Sequence, residues 1–497
     1  MLEKIEKHLD LGFLLALSFF LRLPSLFEPY HYGDEGIYEV LGQAVSQGGL
    51  LYRDAWDNKP PFLYLIYAVF SGDLFWVKFL SLVFCLLTIT VFYLLARKIF
   101  TSGRLALLST LIFTLLFSLP FLEGNIANAE NFMLLPIIFA FYLVFRYFPK
   151  SNRFHFLSAG FLLGLAFLLK IVAIFDFAAL GVFLLIGLWD KIFPPLKSNK
   201  IFKKLLNFKP EMVFPLLFLF GGFILPIIAT FMFFFFQGSF KDFLTAAFSQ
   251  NANYVAAGNQ LFIPQGWLLF KLLLLAIFCL FLLLKRGSFT KGQLLIFLWF
   301  GFSVFNALFA ERPWIHYLLV LIPALSLLLL FPFQEKKWRR FTLAIIIFTF
   351  YLIGSRFWLY GKTFTYYENF FSLIAGKKSV EDYYSFWGNH VNRDYQVAQF
   401  LMAKNGGSDP IFIWGDNAQI YALAKKPVVG RYSVAYHITF YPQAYQETIE
   451  ALSQKQPRYI IILLPQTAPL KDIGVFISQH YRLLFQTEGF IVYEKQL

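Results

Sequence analysis

Residues 11–38 read LGFLLALSFFLRLPSLFEPYHYGDEGIY. In this stretch an apolar run of nearly membrane-spanning length is followed by the adjacent carboxylates Asp34 and Glu35. Ionised side chains at a membrane boundary are costly to desolvate, so this pair indicates a functional site. A solvated pair of loop acids is the alternative. The next loop, residues 56–61 (WDNKPP), places a basic residue in a rigid turn and favours the functional interpretation.

The composition of the whole chain is that of a membrane protein. Of its 497 residues, 58% are hydrophobic and only 14% are charged. This balance excludes an ordinary soluble protein. The formal net charge of +14 would suit a nucleic-acid partner. However, the basic residues are grouped in short loops between apolar stretches, as in cytoplasmic loops of membrane proteins. We therefore predict no nucleic-acid partner.

Eleven apolar stretches approach the ~20 residues that cross a ~30 Å hydrocarbon layer. They are residues 11–27, 74–96, 105–121, 132–148, 156–170, 171–189, 212–236, 266–284, 292–310, 315–333 and 341–359. Basic residues are concentrated in alternate loops, including six lysines over residues 191–209. The positive-inside rule then predicts a multi-pass membrane protein with a cytoplasmic N-terminus.

This topology places the unusual polar motifs together on the non-cytoplasmic face. They are the acidic pair, the Lys59 turn, the loop 123–131, Lys170 and Arg312. Nucleotide sugars are scarce on that side, and the chain has no phosphate-binding glycine motif. Chemistry on this face therefore requires a donor that arrives through the membrane.

The composition changes after residue 360, which divides the chain into a transmembrane domain (1–360) and an extracytoplasmic part (361–497). Residues 361–400 are expected to lie along the outer membrane surface. Beyond them, the pattern predicts a small α/β domain. Its strands are expected at 410–415 and 458–464, its helices at 417–426 and 444–456, and a closing hairpin at 483–494. No catalytic constellation is evident in this domain.

Several motifs resemble, in order and spacing, those of the GT-C fold glycosyltransferases. They are the acidic pair, the Lys-Pro-Pro turn, NIANAENFM at 125–133, GLAFLLK at 164–170 and ERPWIHY at 311–317. The resemblance covers roughly residues 10–360 and is nearest to the protein O-mannosyltransferase and lipid A aminoarabinose transferase branch. It implies an inverting transferase that takes a sugar from a polyprenyl-phosphate carrier. It also implies that the outer α/β domain is an accessory.

The chemistry of such a transfer fits Asp34 and Lys59. A carboxylate must deprotonate the acceptor hydroxyl, and cations must stabilise the phosphate leaving group. The resemblance implies that Asp34 is the base and that Lys59 binds the phosphate. Glu35 would orient the base or bind acceptor hydroxyls. Snorkelling of Lys59 at the membrane interface is the alternative.

Three further residues are candidates for the donor phosphate. Arg312 could bind phosphate through two hydrogen bonds. Lys170 lies between two short spans and would neutralise either a lipid phosphate or an acid. His316 would contact the phosphate or the sugar, although a lone histidine at a helix start is often structural.

Sugar or acceptor contacts are predicted for Glu130, Asp57 and Tyr317. Glu130 lies at the mouth of a span, where an unneutralised carboxylate is costly. Its alternative role is that of a structural partner for Lys170 or Arg312.

No metal is expected at this site. In the aminoarabinose branch a glutamate precedes the phosphate-binding lysine and helps to form a metal site, but here that position is Asn58. We therefore predict a metal-independent reaction and doubt aminoarabinose as the sugar. A lipid-linked glycan polymerase or ligase remains open as an alternative, as does a lipid-linked sugar flippase. The sequence names neither the sugar nor the lipid, glycan or protein acceptor.

Overall fold

The computed structural model describes residues 2–148, 153–192, 213–404, 409–441 and 443–496. These residues form a helical membrane part followed by a small α/β domain. Most of the lysine-rich loop at 191–209 lies outside the described residues.

Helices occupy every predicted span in the membrane part. In chain order they are α1 (Leu2–Arg22), α2 (Gly33–Ser46), α3 (Pro61–Val69), α4 (Leu74–Ile99), α5 (Gly103–Ser118), α6 (Ala129–Tyr147), α7 (Arg153–Leu169), α8 (Ile174–Ile192), α9 (Phe214–Phe236), α10 (Phe240–Leu244), α11 (Gln250–Gly258), α12 (Gly266–Leu284), α13 (Lys291–Ala307), α14 (Ile322–Gln334) and α15 (Arg339–Arg356). A π-helical turn, Thr245–Ser249, joins α10 to α11, and a 3-10 turn, Ile315–Val320, precedes α14.

Six segments among the described residues are long and apolar enough to cross a membrane. They are Leu9–Phe27, Leu74–Ile99, Ala129–Tyr147, Ile171–Trp189, Phe214–Phe236 and Gly266–Leu284. Helices α5, α7 and α14 are apolar but shorter. The chain is therefore a multi-pass membrane protein. The predicted total of eleven crossings also counts helices that are shorter or less apolar than these six. The cytoplasmic N-terminus remains a prediction.

Helix α2 contains the acidic pair in its first turn, and the alternative of a solvated pair in a loop does not apply. Ile37, Val40 and Leu41 are all buried, and their spacing is that of one face of a helix. Successive residues of a helix point about 100° apart. Asp34 and Glu35 therefore face different surroundings although they are neighbours in sequence.

Helices α6 and α7 bring together two charges that lie 40 residues apart in sequence. The two helices pack against each other. Glu130 lies in the first turn of α6, and Lys170 directly follows the end of α7. Because the second helix runs back towards the start of the first, these two residues meet at the same membrane face.

The α/β domain contains a four-stranded sheet of order β1-β2-β4-β3. Strands β1 and β2 are parallel, and the other two pairs are antiparallel. The strands are β1 (Phe412–Trp414), β2 (Tyr459–Leu463), β3 (Tyr481–Gln486) and β4 (Phe490–Lys495). The helices after the membrane part are α16 (Thr363–Ile374), α17 (Val380–Ser385), α18 (Asn389–Lys404), α19 (Gln419–Ala424), α20 (Ala435–Phe440), α21 (Ala444–Lys455) and α22 (Lys471–His480).

Elements of the α/β domain occur where the sequence pattern indicated, with α20 and α22 in addition. The segment after α15 exposes large apolar side chains, namely Trp358, Phe364, Phe371 and Ile374. Such side chains suit the membrane interface, although placement along the membrane surface stays a prediction.

The α/β domain packs directly on the first outer segment of the membrane part. Helix α19 contacts α2, and the Gln43 side-chain amide donates to the Ala422 carbonyl at 3.1 Å. The Trp56 backbone amide donates to the Arg431 carbonyl at 2.9 Å. The approach is so close that a Cβ on Gly36 would lie 2.6 Å from the backbone nitrogen of Gln419. Residues of the α/β domain are thereby placed beside the Lys59 turn.

Candidate active site

One cavity of about 590 Å³ brings together eight of the nine predicted site residues. These eight are Asp34, Asp57, Lys59, Glu130, Lys170, Arg312, His316 and Tyr317. Its walls come from the first turns of α2 and α6, the Lys59 turn, residues 170–172 between α7 and α8, helix α11, the connection from the end of α13 to α14, and the segment 436–441 at α20. Glu35 is the predicted residue that the structure places elsewhere.

Lys59 links two carboxylates at the wall of the cavity. Its Nζ lies 3.3 Å from Oδ2 of Asp34 and 3.7 Å from Oδ2 of Asp57. The same nitrogen lies 4.7 Å from the centroid of the Tyr38 ring. Its backbone amide donates to the Tyr64 hydroxyl at 2.9 Å. Lys59 is therefore held by specific partners inside the cavity, and its ammonium does not extend freely to an interface.

Asp34 is an ionised carboxylate that is still partly accessible. Burial alone would raise its pKa, but the Lys59 ammonium, the His316 ring and a hydrogen bond from Tyr38 outweigh burial and lower the pKa to about 2. Its side chain remains 35% exposed. The group can therefore accept a proton or a hydrogen bond from a molecule in the cavity.

Glu130 and Lys170 form a second ion pair in the cavity. The Lys170 ammonium donates a hydrogen bond to Oε1 of Glu130. It also lies 4.4 Å from the centroid of the Tyr317 ring. Of the two partners suggested for Glu130 by the sequence, the structure shows Lys170. Both charged residues nevertheless line the cavity, where a polar ligand would reach them.

Arg312 is the cation of the cavity that has no carboxylate partner among the described residues. Its guanidinium lies 4.9 Å from the centroid of the Tyr254 ring, and its Nε is buried without a hydrogen-bond partner. A buried donor of this kind is unfavourable until an acceptor arrives. The geometry therefore suits an anionic ligand that approaches through the cavity.

His316 is oriented by a carboxylate that the prediction did not include. Its Nδ1 lies 2.9 Å from Oε2 of Glu123. The hydroxyl of Tyr32 donates to the same oxygen at 2.8 Å. The loop between α5 and α6 thus fixes the imidazole ring at the edge of the cavity.

Glu35 points away from the cavity, into the junction of α2 with α4. It is 1% exposed and accepts a hydrogen bond of 2.6 Å from the backbone amide of Ala127. Its other carboxylate oxygen lies 3.4 Å from Nζ of Lys78. Burial raises the pKa of Glu35, although Lys78 opposes the shift. These contacts fix α2 to its neighbours, and neither of them reaches Asp34 or the cavity.

Four aromatic or imidazole side chains of the α/β domain line the cavity without having been predicted. They are Tyr436, His437, Phe440 and Tyr441. Nε2 of His437 lies 3.8 Å from Oδ1 of Asp57. Burial lowers the pKa of His437 to about 4, Asp57 opposes the shift and Lys59 adds to it, so the ring is neutral at physiological pH. The only sequence signal for this part of the cavity was the close spacing of these four side chains over residues 436–441.

Helix α11 contributes two further residues that the sequence did not indicate. The Asn251 side-chain amide donates to the backbone carbonyl of Asn58 at 2.5 Å and thereby supports the Lys59 turn. Tyr254 provides the ring beside Arg312. Within the described ranges, no group of three or more His, Cys, Asp or Glu side chains is arranged to bind a metal ion.

Comparison with known proteins identifies the fold. A family model described as dolichyl-phosphate-mannose-protein mannosyltransferase matches residues 59–203. No curated protein matches the chain by sequence. Among solved structures, ArnT from Cupriavidus metallidurans bound to undecaprenyl phosphate is 14% identical, with a TM-score of 0.54 over 97% of each chain. The oligosaccharyltransferase of Archaeoglobus fulgidus is 13% identical, with a TM-score of 0.47 over 98% of this chain and 73% of that one. The near-complete overlap with ArnT shows that this chain has the GT-C fold of membrane glycosyltransferases.

Proposed function

We propose that the protein is an inverting glycosyltransferase that moves a sugar from a polyprenyl-phosphate carrier to an acceptor hydroxyl outside the cytoplasm. The observation that carries the proposal is one cavity that presents a carboxylate, Asp34, and two phosphate-compatible cations, Lys59 and Arg312. The structure of ArnT contains undecaprenyl phosphate, and the matched family is described by a dolichyl-phosphate donor. Both support a lipid-linked donor.

The reaction follows from the charges in the cavity. The acceptor oxygen attacks C1 of the donor sugar as its proton moves to the Asp34 carboxylate. The bond between C1 and the phosphate oxygen breaks, and its electron pair remains on the phosphate. Lys59 and Arg312 stabilise this developing negative charge. A single displacement of this kind inverts the configuration at C1.

The remaining cavity residues suit recognition of the sugar and the acceptor. The paired charges of Glu130 and Lys170 offer a hydrogen-bond acceptor and a donor to sugar hydroxyls. Tyr317 adds a ring beside them, and His316 is held at the same edge by Glu123. On the opposite side of Asp57, the neutral His437 contributes an imidazole from the α/β domain. No step of this scheme uses a metal ion, so activity should survive treatment with EDTA.

A donor-consumption assay tests the proposal. Purified protein in detergent is incubated with a panel of polyprenyl-phosphate sugars and an extract of membrane acceptors, and release of polyprenyl phosphate is measured. We expect one donor to be consumed with transfer of labelled sugar. Asp34→Asn should prevent this, whereas Asp54→Asn, which changes an acid outside this cavity, should not.

Two outcomes would contradict the proposed reaction. Equal consumption of the donor by the Asp34→Asn protein would remove the assigned base. Movement of labelled donor across a vesicle membrane without any new covalent product would favour a flippase.

A further inference from the structure

We infer that Lys271 and Arg356 keep Arg312 free to bind phosphate by holding the adjacent carboxylate of Glu311 away from it. The inference rests on the proposed function, since it concerns a group assigned to the donor phosphate. Lys271 and Arg356 are then positioning residues, because they act through Glu311.

Both carboxylate oxygens of Glu311 are already engaged by these two cations. Oε1 lies 2.9 Å from Nζ of Lys271, and Oε2 lies 3.3 Å from Nη1 of Arg356. The Glu311 side chain is only 16% exposed. Its backbone has a φ of +50°, a left-handed conformation that is uncommon for a residue other than glycine. Glu311 is therefore held in one particular orientation, away from its neighbour.

Arg312 directly follows Glu311 in the chain, so a carboxylate released by Lys271 and Arg356 has a cation beside it in sequence. Adjacent acidic and basic residues do pair elsewhere in this chain, because Nη2 of Arg393 lies 2.7 Å from Oδ1 of Asp394. A similar pair between Glu311 and Arg312 would neutralise the guanidinium. It would also satisfy the buried Nε of Arg312, which now has no hydrogen-bond partner. A phosphate would then have to displace a carboxylate before it could bind.

Lys271 is well placed for this role. It projects from the membrane helix α12, where a lone ammonium would be costly. Besides Glu311, it donates to Oδ1 of Asn259 at 2.8 Å and to the backbone carbonyl of Leu308. Asn259 in turn donates to the Phe309 carbonyl at 2.9 Å. The ammonium is thus fixed to the same connection between α13 and α14 that carries Arg312.

A simpler interpretation is that Lys271 and Arg356 only stabilise this connection. The two interpretations predict opposite effects of removing Glu311 after its partners have been removed. If the carboxylate competes with phosphate, deleting it restores affinity. If the ion pairs only brace the loop, deleting it restores nothing.

The experiment measures binding of a short-chain polyprenyl phosphate to the full-length protein in detergent. We expect Lys271→Gln combined with Arg356→Gln to weaken binding by about tenfold or more, the scale of one charge-assisted hydrogen bond. Adding Glu311→Gln to that double variant should return the affinity to within about twofold of the single Glu311→Gln protein. Arg356→Gln alone, at a half-exposed position, gives a smaller loss and does not depend on folding of the Lys271 variant.

Two controls separate the inference from the proposed function. Lys291→Gln removes another membrane-helix lysine, which contacts the Phe145 and Phe148 carbonyls, and should leave affinity unchanged. Arg312→Gln should weaken binding directly, and failure of that variant to do so would count against the proposed phosphate site. If Arg312→Gln weakens binding but the double variant does not, or if Glu311→Gln fails to rescue it, the inference alone is overturned.

Discussion

Nζ of Lys59 lies 3.3 Å from Oδ2 of Asp34, so the cation assigned to the donor phosphate is paired with the carboxylate assigned to the acceptor. A donor phosphate that binds Lys59 must compete with Asp34 and with Asp57. In turn, a phosphate that draws the ammonium away leaves Asp34 free to accept a proton. On the proposed function, donor binding therefore prepares the base.

Asp34→Asn should abolish transfer while the donor still binds. Loss of a general base typically lowers a rate by ~10²–10⁴. Affinity for polyprenyl phosphate should stay the same or increase, because Lys59 loses one competing carboxylate. Turnover and lipid titration on the same preparation test both effects, and turnover within a few-fold of the wild-type value would eliminate Asp34 as the base.

Lys59→Ala should weaken binding of polyprenyl phosphate itself, even without a sugar. A charge-assisted hydrogen bond is worth roughly 1.5–3 kcal/mol, which corresponds to about a ten- to hundredfold loss of affinity. Lys59→Arg should retain part of the affinity, because a guanidinium fork differs from a compact ammonium. Titration with a short-chain polyprenyl phosphate measures the difference, and equal affinities would exclude Lys59 from the phosphate site.

The low pKa of Asp34 predicts a particular pH dependence. A carboxyl group whose pKa is lowered to about 2 stays ionised until the pH falls to that value. Protonation of Asp34 therefore should not reduce kcat/KM between about pH 5 and 8. In Lys59→Gln the main lowering influence is lost, so the pKa rises and an acid limb should move upward in pH. If kcat/KM falls at the same acidic pH in the wild type and in Lys59→Gln, Lys59 does not control the pKa of Asp34.

Tyr436→Ala should affect the acceptor and not the donor. Tyr436 lines the cavity from the α/β domain and is 42% exposed there. Loss of an aromatic contact is expected to raise the acceptor KM by roughly 2- to 10-fold, with polyprenyl-phosphate affinity unchanged. Tyr351→Ala, at an exposed position on α15, is the control. A loss of donor affinity in Tyr436→Ala would instead place this residue in the phosphate site.

The predicted topology places residues 361–497 outside the cytoplasm. A reporter that is active only in the cytoplasm should therefore be silent when it is fused after Leu497. Cytoplasmic activity would show that one crossing has been miscounted, and the pair of spans at 156–189, which includes the short helix α7, is the first to re-examine.

Sequence reasoning located the charged residues of the cavity because charge beside apolar stretches is conspicuous. Asp34 and Glu130 stood out as costly carboxylates at a membrane boundary, Lys59 stood out by its rigid turn, and Arg312 by its suitability for phosphate. Folding brings all four into one space. Glu35 shared that signal, but the helical turn of α2 directs it into a buried contact with Lys78. Adjacent residues in a helix point about 100° apart, so a shared sequence signal does not place both side chains in the same site.

Contacts between distant segments could not be read from the sequence. His437 reaches Asp57 across 380 positions because α19 packs on α2 and brings the α/β domain, including α20, to this end of the membrane part. The pairing of Glu311 with Lys271 likewise depends on how α12 packs beside the connection after α13. The sequence around His437 or Lys271 is ordinary, and the role of each residue depends on a partner that only the tertiary structure brings close.

The contact between Gly36 and Gln419 has a consequence for protein engineering. Because even a methyl group at position 36 would collide with the backbone of residue 419, the outer domain and α2 are fitted to one another. A chimera that grafts the outer domain of a distant relative onto this membrane part should fail unless residues 33–60 are exchanged with it. The segment that must be exchanged as one unit in such a chimera therefore extends across the predicted domain boundary at residue 360.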